Sequence, residues 1–315
     1  MTNSNNKAIL IAGCTLSALY ALVFNLLPIN IGSAAEAFSL SYPQMGTLGS
    51  LTLGGWVIGS IIAFALLNYM NWKQICMIGA VLAGGGFIAS AQVTEISHLN
   101  ITWFIAGLGA GLPFSIAIQA LGELDDPDRV MGMKLASEVF LGAALLYLFP
   151  VLLIANWAYD GAAYGIAAMM LVGIFAVSRM PKSHRADAEH AEEHVKVGLG
   201  GNLPAIIALV TLAIFFGGQT GIWTLLERIG NTIGLSGGNI GISLAIVKLL
   251  GFVAGATAAV VGAKYGNRWP HILGLICIGG GLYMVVGASG FWAYAIGSWI
   301  WEFGFALSQV YQMAG

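Results

Sequence analysis

Ten apolar runs, each near the length of a bilayer-crossing helix, leave this chain one class of architecture. A bilayer core about 30 Å thick takes about 20 apolar residues per helix. The runs at 8–32, 45–67, 75–92, 101–121, 133–155, 160–179, 203–226, 239–262, 271–288 and 291–313 use most of the 315 residues. Lipid offers a backbone N–H or C=O no hydrogen-bond partner, so such runs are expected as helices that bond internally. The expected fold is all-α, a polytopic helical bundle in which no sizeable soluble domain has room. Composition agrees: 8% of residues are charged and 58% hydrophobic, against about 25% charged in soluble domains.

One long hydrophilic segment interrupts the pattern, RMPKSHRADAEHAEEHVKVGLGG from Arg179 to Gly201. It separates six spans from four, which predicts an N-terminal half over 1–180, a linker over 181–202 and a second half over 203–315. Within it HAEEH, His190 to His194, matches the H-x-x-E-H spacing of a class of zinc proteases. A catalytic zinc needs a third ligand and an enclosed cleft that so short a linker does not supply. The expectation is a charged linker, not an enzyme, with His184, His190 and His194 offering at most adventitious metal binding. No cofactor is expected.

The basic residues set the orientation. With the N-terminus cytoplasmic, Lys7, Lys73, Arg129, Lys134, Arg179, Lys182, Arg185, Lys196, Lys264 and Arg268 share the cytoplasmic side. Arg228 alone is external and Lys248 alone lies inside a span. Lys and Arg in short loops favour the cytoplasm, so the predicted location is the inner membrane with the N-terminus inside. The net charge of −2 gives no reason to expect a nucleic-acid partner. Cys14, Cys76 and Cys277 fall in or beside apolar runs, where neither disulfides nor metal spacing is expected. The first run is too long for a signal-peptide core and is read as a span.

The halves echo one another. Leu40-Ser41, Gly46 and Lys73 have counterparts Leu235-Ser236, Gly241 and Arg268, all at one offset of 195 residues. Each copy places Leu-Ser in a loop, a glycine-bearing span after it, and a basic residue at the next turn. An internal repeat of this length is a mark of transporter folds. Gly55/Gly59 and Gly251/Gly255 carry the GxxxG spacing that lets helices approach closely.

Ionisable residues within spans narrow the candidate site, because each costs about 2.5–3.5 kcal/mol at the bilayer centre. Glu138 lies near the start of the fifth span, Lys248 mid-way along the eighth and Glu302 mid-way along the tenth. Lys248 and Glu302 are expected to face a watery cavity, as an ion pair that binds a charged substrate group or carries a proton; a structural pair is the alternative. Glu138 is equally readable as an interfacial side chain. Ser298, Glu302 and Gln309 share one side of the tenth helix, and Gly111, Ser115 and Gln119 form a stripe on the fourth. Asn25, Gln219 and Thr220 add polar groups at membrane depth, and Trp223 and Trp299 are candidate stacking surfaces.

The turn GAKYGNRWP after the eighth span resembles the loop motif of the major facilitator superfamily, with Lys264, Tyr265, Gly266 and Arg268 matching. Ala263 stands where an aspartate is usual and Ala259 where a glycine is usual. In the first copy Asn68 and Asn71 replace aspartate and glycine, and Lys73 keeps the basic place. GLGAG at Gly107–Gly111, followed by Pro113, also resembles that superfamily's fourth span, with Trp103 at the position of a frequent arginine. A nucleotide loop is excluded for GLGAG because no βαβ unit surrounds it. The resemblance covers the whole chain. It implies a secondary carrier moving a small-molecule solute by alternating access, a monomer in the lipid bilayer with a proton as candidate coupling ion. Lys73, Lys264, Gly266, Arg268, Asp128 and Arg129 would be its loop gates, and two further spans would be expected after Gly315. The rivals are a ten-helix drug/metabolite-type carrier, which the 195-residue offset opposes, and a non-transporting membrane sensor or scaffold.

Overall fold

The computed structural model describes residues 3–124, 127–183, 203–261 and 268–313. The HAEEH motif, Lys264 and Gly266 lie outside them, as do the side chains of Asp128, Arg129 and Gln309. The described helices are α1 (Asn3–Tyr20), α2 (Leu22–Asn25), α3 (Leu27–Phe38), α4 (Tyr42–Leu66), α5 (Trp72–Ser90), α6 (Ile96–Gly122), α7 (Pro127–Leu148), α8 (Ala155–Val177), α9 (Leu203–Thr232), α10 (Gly237–Val261), α11 (Arg268–Val286) and α12 (Phe291–Met313). A π-helical turn, Phe149–Ile154, joins α7 to α8. Seven stretches among the described residues are long and apolar enough to cross a membrane.

The first span is not one rod. Helical bonding continues through Ala21, the backbone bends at Leu26, where φ is −93° and ψ 5°, and α3 restarts with Pro28 in its first turn, where a missing N–H costs nothing. The expected gap between the fifth and sixth spans is almost absent. The apolar stretch runs unbroken over 48 residues from Val130 to Val177 and folds back at Ala158, whose φ of 47° and ψ of −135° leave the helical region. Proline 150 loosens the π turn, and Gly161 lets the returning helix rest on the Leu153 carbonyl.

The repeat is visible in backbone detail. At Ser39 φ is 51°, and at Gly234, 195 positions on, it is 79°. The next N–H closes the same helix end in each copy, Leu40 to the Ala35 carbonyl at 3.0 Å and Leu235 to the Gly230 carbonyl at 3.1 Å. A left-handed residue after the last turn followed by this back-bond is a standard helix stop. The serines then start the next helix: Ser41 forms a reciprocal cap with Gln44 on α4, and the Ser236 hydroxyl accepts from Asn239 N–H at 3.3 Å on α10. These two turns lie at one end of the bundle, called here the Ser39 end.

Glycines set how closely helices pack. A side chain at Gly55 or Gly59 would strike the carbonyls of Phe104 or Leu108, and one at Gly107 or Gly111 those of Thr52 or Trp56. Helices α4 and α6 thus interlock backbone to backbone, as the GxxxG spacing predicts. Gly251 behaves differently: a Cβ there would lie 2.6 Å from Glu302 Oε1, so this glycine makes a niche for a carboxylate.

Candidate solute site between the two helical sets

A cavity of about 150 Å³ opens where α2 meets α9, α10 and α12. Lys248 of α10 and Glu302 of α12 line it, with Gln219, Thr220 and Trp223 of α9. The remaining walls are aromatic: Phe24 from the first span, Phe216, Trp301 and Phe305. Lys248 Nζ sits 4.1 Å from the Trp223 ring centre and 4.8 Å from that of Phe24, within the range of cation–π attraction. The expected direct ion pair is not formed. The rings hold the ammonium while the Glu302 carboxylate tucks into the Gly251 niche one helical turn away.

The aromatic wall is fixed by hydrogen bonds. Trp223 Nε1 donates to the Phe24 carbonyl at 3.0 Å, exposed because the first span breaks there. Trp301 Nε1 donates to Gln219 Oε1 at 2.6 Å, and its ring stacks on Phe305 at 8° between planes. Trp299, singled out from the sequence, does not reach the cavity. Its indole donates to the Ser243 carbonyl at 3.2 Å and ties α12 to α10. Two residues along a helix is about 200° of rotation, so Trp301 faces the cavity in its place. Ser298 is spent on the Tyr294 carbonyl of its own helix.

The other predicted polar residues gather elsewhere. Glu138 is buried, paired with Lys134 at 2.8 Å, and accepts a hydrogen bond from Ser17 of α1. Asn25 Nδ2 reaches the Glu138 carbonyl at 3.5 Å. This rules out an interfacial carboxylate exposed to headgroups and makes Glu138 the hub of an α1–α7 contact. Gln119 Nε2 donates to Glu123 of its own helix at 3.1 Å, and Gly111 of the same stripe is a packing contact with α4.

Sequence reading missed a second polar cluster, at the Ser39 end. Glu227 of α9 presses its carboxylate into the space left by Gly32 of α3, and Oε2 there is buried without a hydrogen-bond partner. Asn231 donates to Glu227 and, at 3.5 Å, to Glu36. Gly32 and Glu227, like Glu36 and Asn231, are themselves 195 positions apart. The first and seventh spans therefore meet along the symmetry axis of the repeat. Glu227 follows a span rather than interrupting one, so its charge carried no signal of membrane depth.

Comparison with known proteins follows the same outline. No family model matches the chain. Human monocarboxylate transporter 11 is 30% identical over 140 residues, 44% of this chain and 30% of that protein. The 4-hydroxybenzoate transporter PcaK of Pseudomonas putida is 30% identical over 109 residues, 34% of this chain and 24% of that protein. The chain thus matches less than a third of these curated relatives' own length. The crystal structure of a D-xylose-proton symporter superposes with a TM-score of 0.75 and 19% identity, over 96% of this chain and 80% of that one. The chain has the major facilitator fold. It is a multi-pass membrane protein, and the relatives named are transporters rather than enzymes.

One departure from the major facilitator pattern, and one residue that keeps it, gain a physical account. Trp103, at the frequent arginine position, is buried and donates to Tyr159 at 2.8 Å, whose hydroxyl donates to Ser90 at 2.7 Å. The place of a charge is taken by a neutral chain of hydrogen bonds joining α5, α6 and α8. Lys73 Nζ donates to the Ser178 carbonyl at 2.6 Å, and Trp72 N–H to the Lys182 carbonyl at 2.9 Å. The first-copy loop therefore docks on the end of α8. Arg268 opens α11.

Proposed function

We propose that the protein is a secondary active transporter that moves a small solute across the inner membrane by alternating access, with its N-terminus cytoplasmic. The observation that carries this is the cavity between the two helical sets, where Lys248 and Glu302 present opposite charges with no direct bond between them. A scaffold would have no use for two ionisable groups, each costly to insert, left open to a shared void. The division at the 181–202 linker supplies the two bodies that move, and the contacts of Gly32 with Glu227 and Glu36 with Asn231 join them at the Ser39 end, here assigned as external, beside a cavity of about 550 Å³ that Ser33, Glu36, Glu227 and Asn231 line. Access from the cytoplasm would lie toward the end that carries Lys73, Arg268 and, in the first turn of α7, Asp128 and Arg129. A proton is the proposed coupling ion, and the working unit is a monomer.

The test is reconstitution into proteoliposomes with counterflow of a panel of small solutes. A disulfide between Glu36→Cys and Asn231→Cys should arrest exchange, and reduction should restore it. Full exchange by the cross-linked protein would overturn alternating access. Failure of every solute to exchange, in well-folded protein, would favour the sensor or scaffold.

A further inference from the structure

We propose that the cavity binds a small organic anion with a flat apolar body, of the size of benzoate. The inference rests on the transport reading for its purpose but on the cavity alone for its chemistry. Its volume of about 150 Å³ equals that of an engineered protein cavity that takes up one benzene ring. In this state there is room for a six-membered ring with a small substituent and little more. Five of the lining side chains are aromatic, with the Trp301 and Phe305 rings stacked and Phe216 edge-on to Phe305 at 5.7 Å. Such walls favour a planar apolar ligand by offset or edge contacts.

The sign of the charge follows from which partners are already taken. An aromatic box beside a carboxylate would suit a cationic ligand. Here the seat of a cation on Phe24 and Trp223 is filled by Lys248 itself, which repels a second positive charge. Ring faces attract an ammonium but accept none of its N–H bonds in the manner of a lone pair, so the Lys248 donors remain open to a ligand. Gln219 adds a donor of fixed direction. The Trp301 N–H can only donate, so it holds the amide oxygen and turns the amide NH₂ away from itself. The Thr220 hydroxyl is a third polar group on the same helix face. Against these stand the Glu302 carboxylate, drawn aside into the Gly251 niche, and, behind the lining, Glu138, whose charge also acts on Lys248 but is paired with Lys134. A carboxylate meets this arrangement with two acceptor oxygens and forms charge-assisted bonds to the ammonium.

The experiment is a titration of the purified full chain with benzoate, benzamide, benzylamine and glucose, followed by the fluorescence of Trp223 and Trp301 in the wall. Benzoate should bind about tenfold to a hundredfold tighter than its neutral isostere benzamide, the loss expected for a hydrogen bond to a charged group. Lys248→Gln should remove that preference. Tighter binding of benzylamine or glucose than of benzoate, or an unchanged benzoate preference in Lys248→Gln, would overturn the proposal. The ligand ranking on the unsubstituted protein decides the matter even where the variant does not fold. Counterflow separates the two readings. Benzoate that binds without exchanging supports the anion site and overturns transport of this class. Exchange of some other solute by protein that binds no organic anion leaves transport standing and overturns the anion site.

Discussion

Among the described residues two lysine–glutamate sets lie inside the bundle, and they differ in what they are bonded to. Lys134 and Glu138 are one turn apart on α7, paired at 2.8 Å, with Ser17 donating to the same carboxylate. Their charges are paired with each other and together they fasten α7 to α1, although Glu138 also lies near enough to act on Lys248. Lys248 and Glu302 come from different helices, share a cavity and form no direct bond. The first set spends its electrostatics on holding a fold and the second keeps its bonding capacity unspent. A charge within a span therefore locates a working site only when its neighbours leave it something to bind.

The sharpest way to break this contrast is to remove the open charges. Lys248→Leu and Glu302→Leu should each abolish solute uptake in proteoliposomes while the protein reaches the membrane in normal amount; retained uptake in both would make the cavity pair as structural as the first. Filling the niche tests the placement of the carboxylate alone. A methyl group at Gly251 would sit 2.6 Å from Glu302 Oε1, so Gly251→Ala should slow uptake by about tenfold, the equivalent of a modest overpacking cost. Gly85→Ala, which meets nothing within 4 Å, should not. The satisfied set should respond in stability instead. Glu138→Gln gives up the ion pair and should cost about 1–3 kcal/mol, read as an earlier thermal unfolding midpoint with uptake preserved; a loss of uptake at unchanged stability would move Glu138 into the transport machinery. The smallest effect is expected at Trp299→Phe. It forgoes the bond to Ser243, worth about 1 kcal/mol, and leaves the cavity walls intact, so uptake rates should match the parent.

Much of the architecture was legible because membrane helices announce themselves by length and the repeat by spacing. The Leu-Ser pairs at 40–41 and 235–236 marked equivalent loops, and they are equivalent to the level of one left-handed residue and one back-bond each. The charged members of the cavity were legible for a similar reason, since Lys248 and Glu302 are conspicuous in apolar runs. Its aromatic members were not. Phe24, Phe216, Trp301 and Phe305 look like any lipid-facing or core residue until the rotation of each helix is known, and that rotation is decided by packing against neighbours. Trp299 and Trp301 show the cost, for the sequence gives both the same chemistry and only the bond to Ser243 separates them. Gly251 misled in the opposite way. Its spacing matched a helix-packing motif, yet the space it opens is filled by a carboxylate on a helix 50 residues distant in sequence.

The contact between Gly32 and Glu227 has a meaning for how such a chain could have arisen. Residues that face one another across a repeat's own axis begin, after a duplication, as the same amino acid. Glycine opposite glycine would leave a gap between the two spans, and glutamate opposite glutamate would force two carboxylates into space for one. Neither twin arrangement closes, so the interlock exists only because the copies diverged. It is a lock whose two pieces were once identical, and exchanging them, Gly32→Glu together with Glu227→Gly, would again set one carboxylate against one glycine.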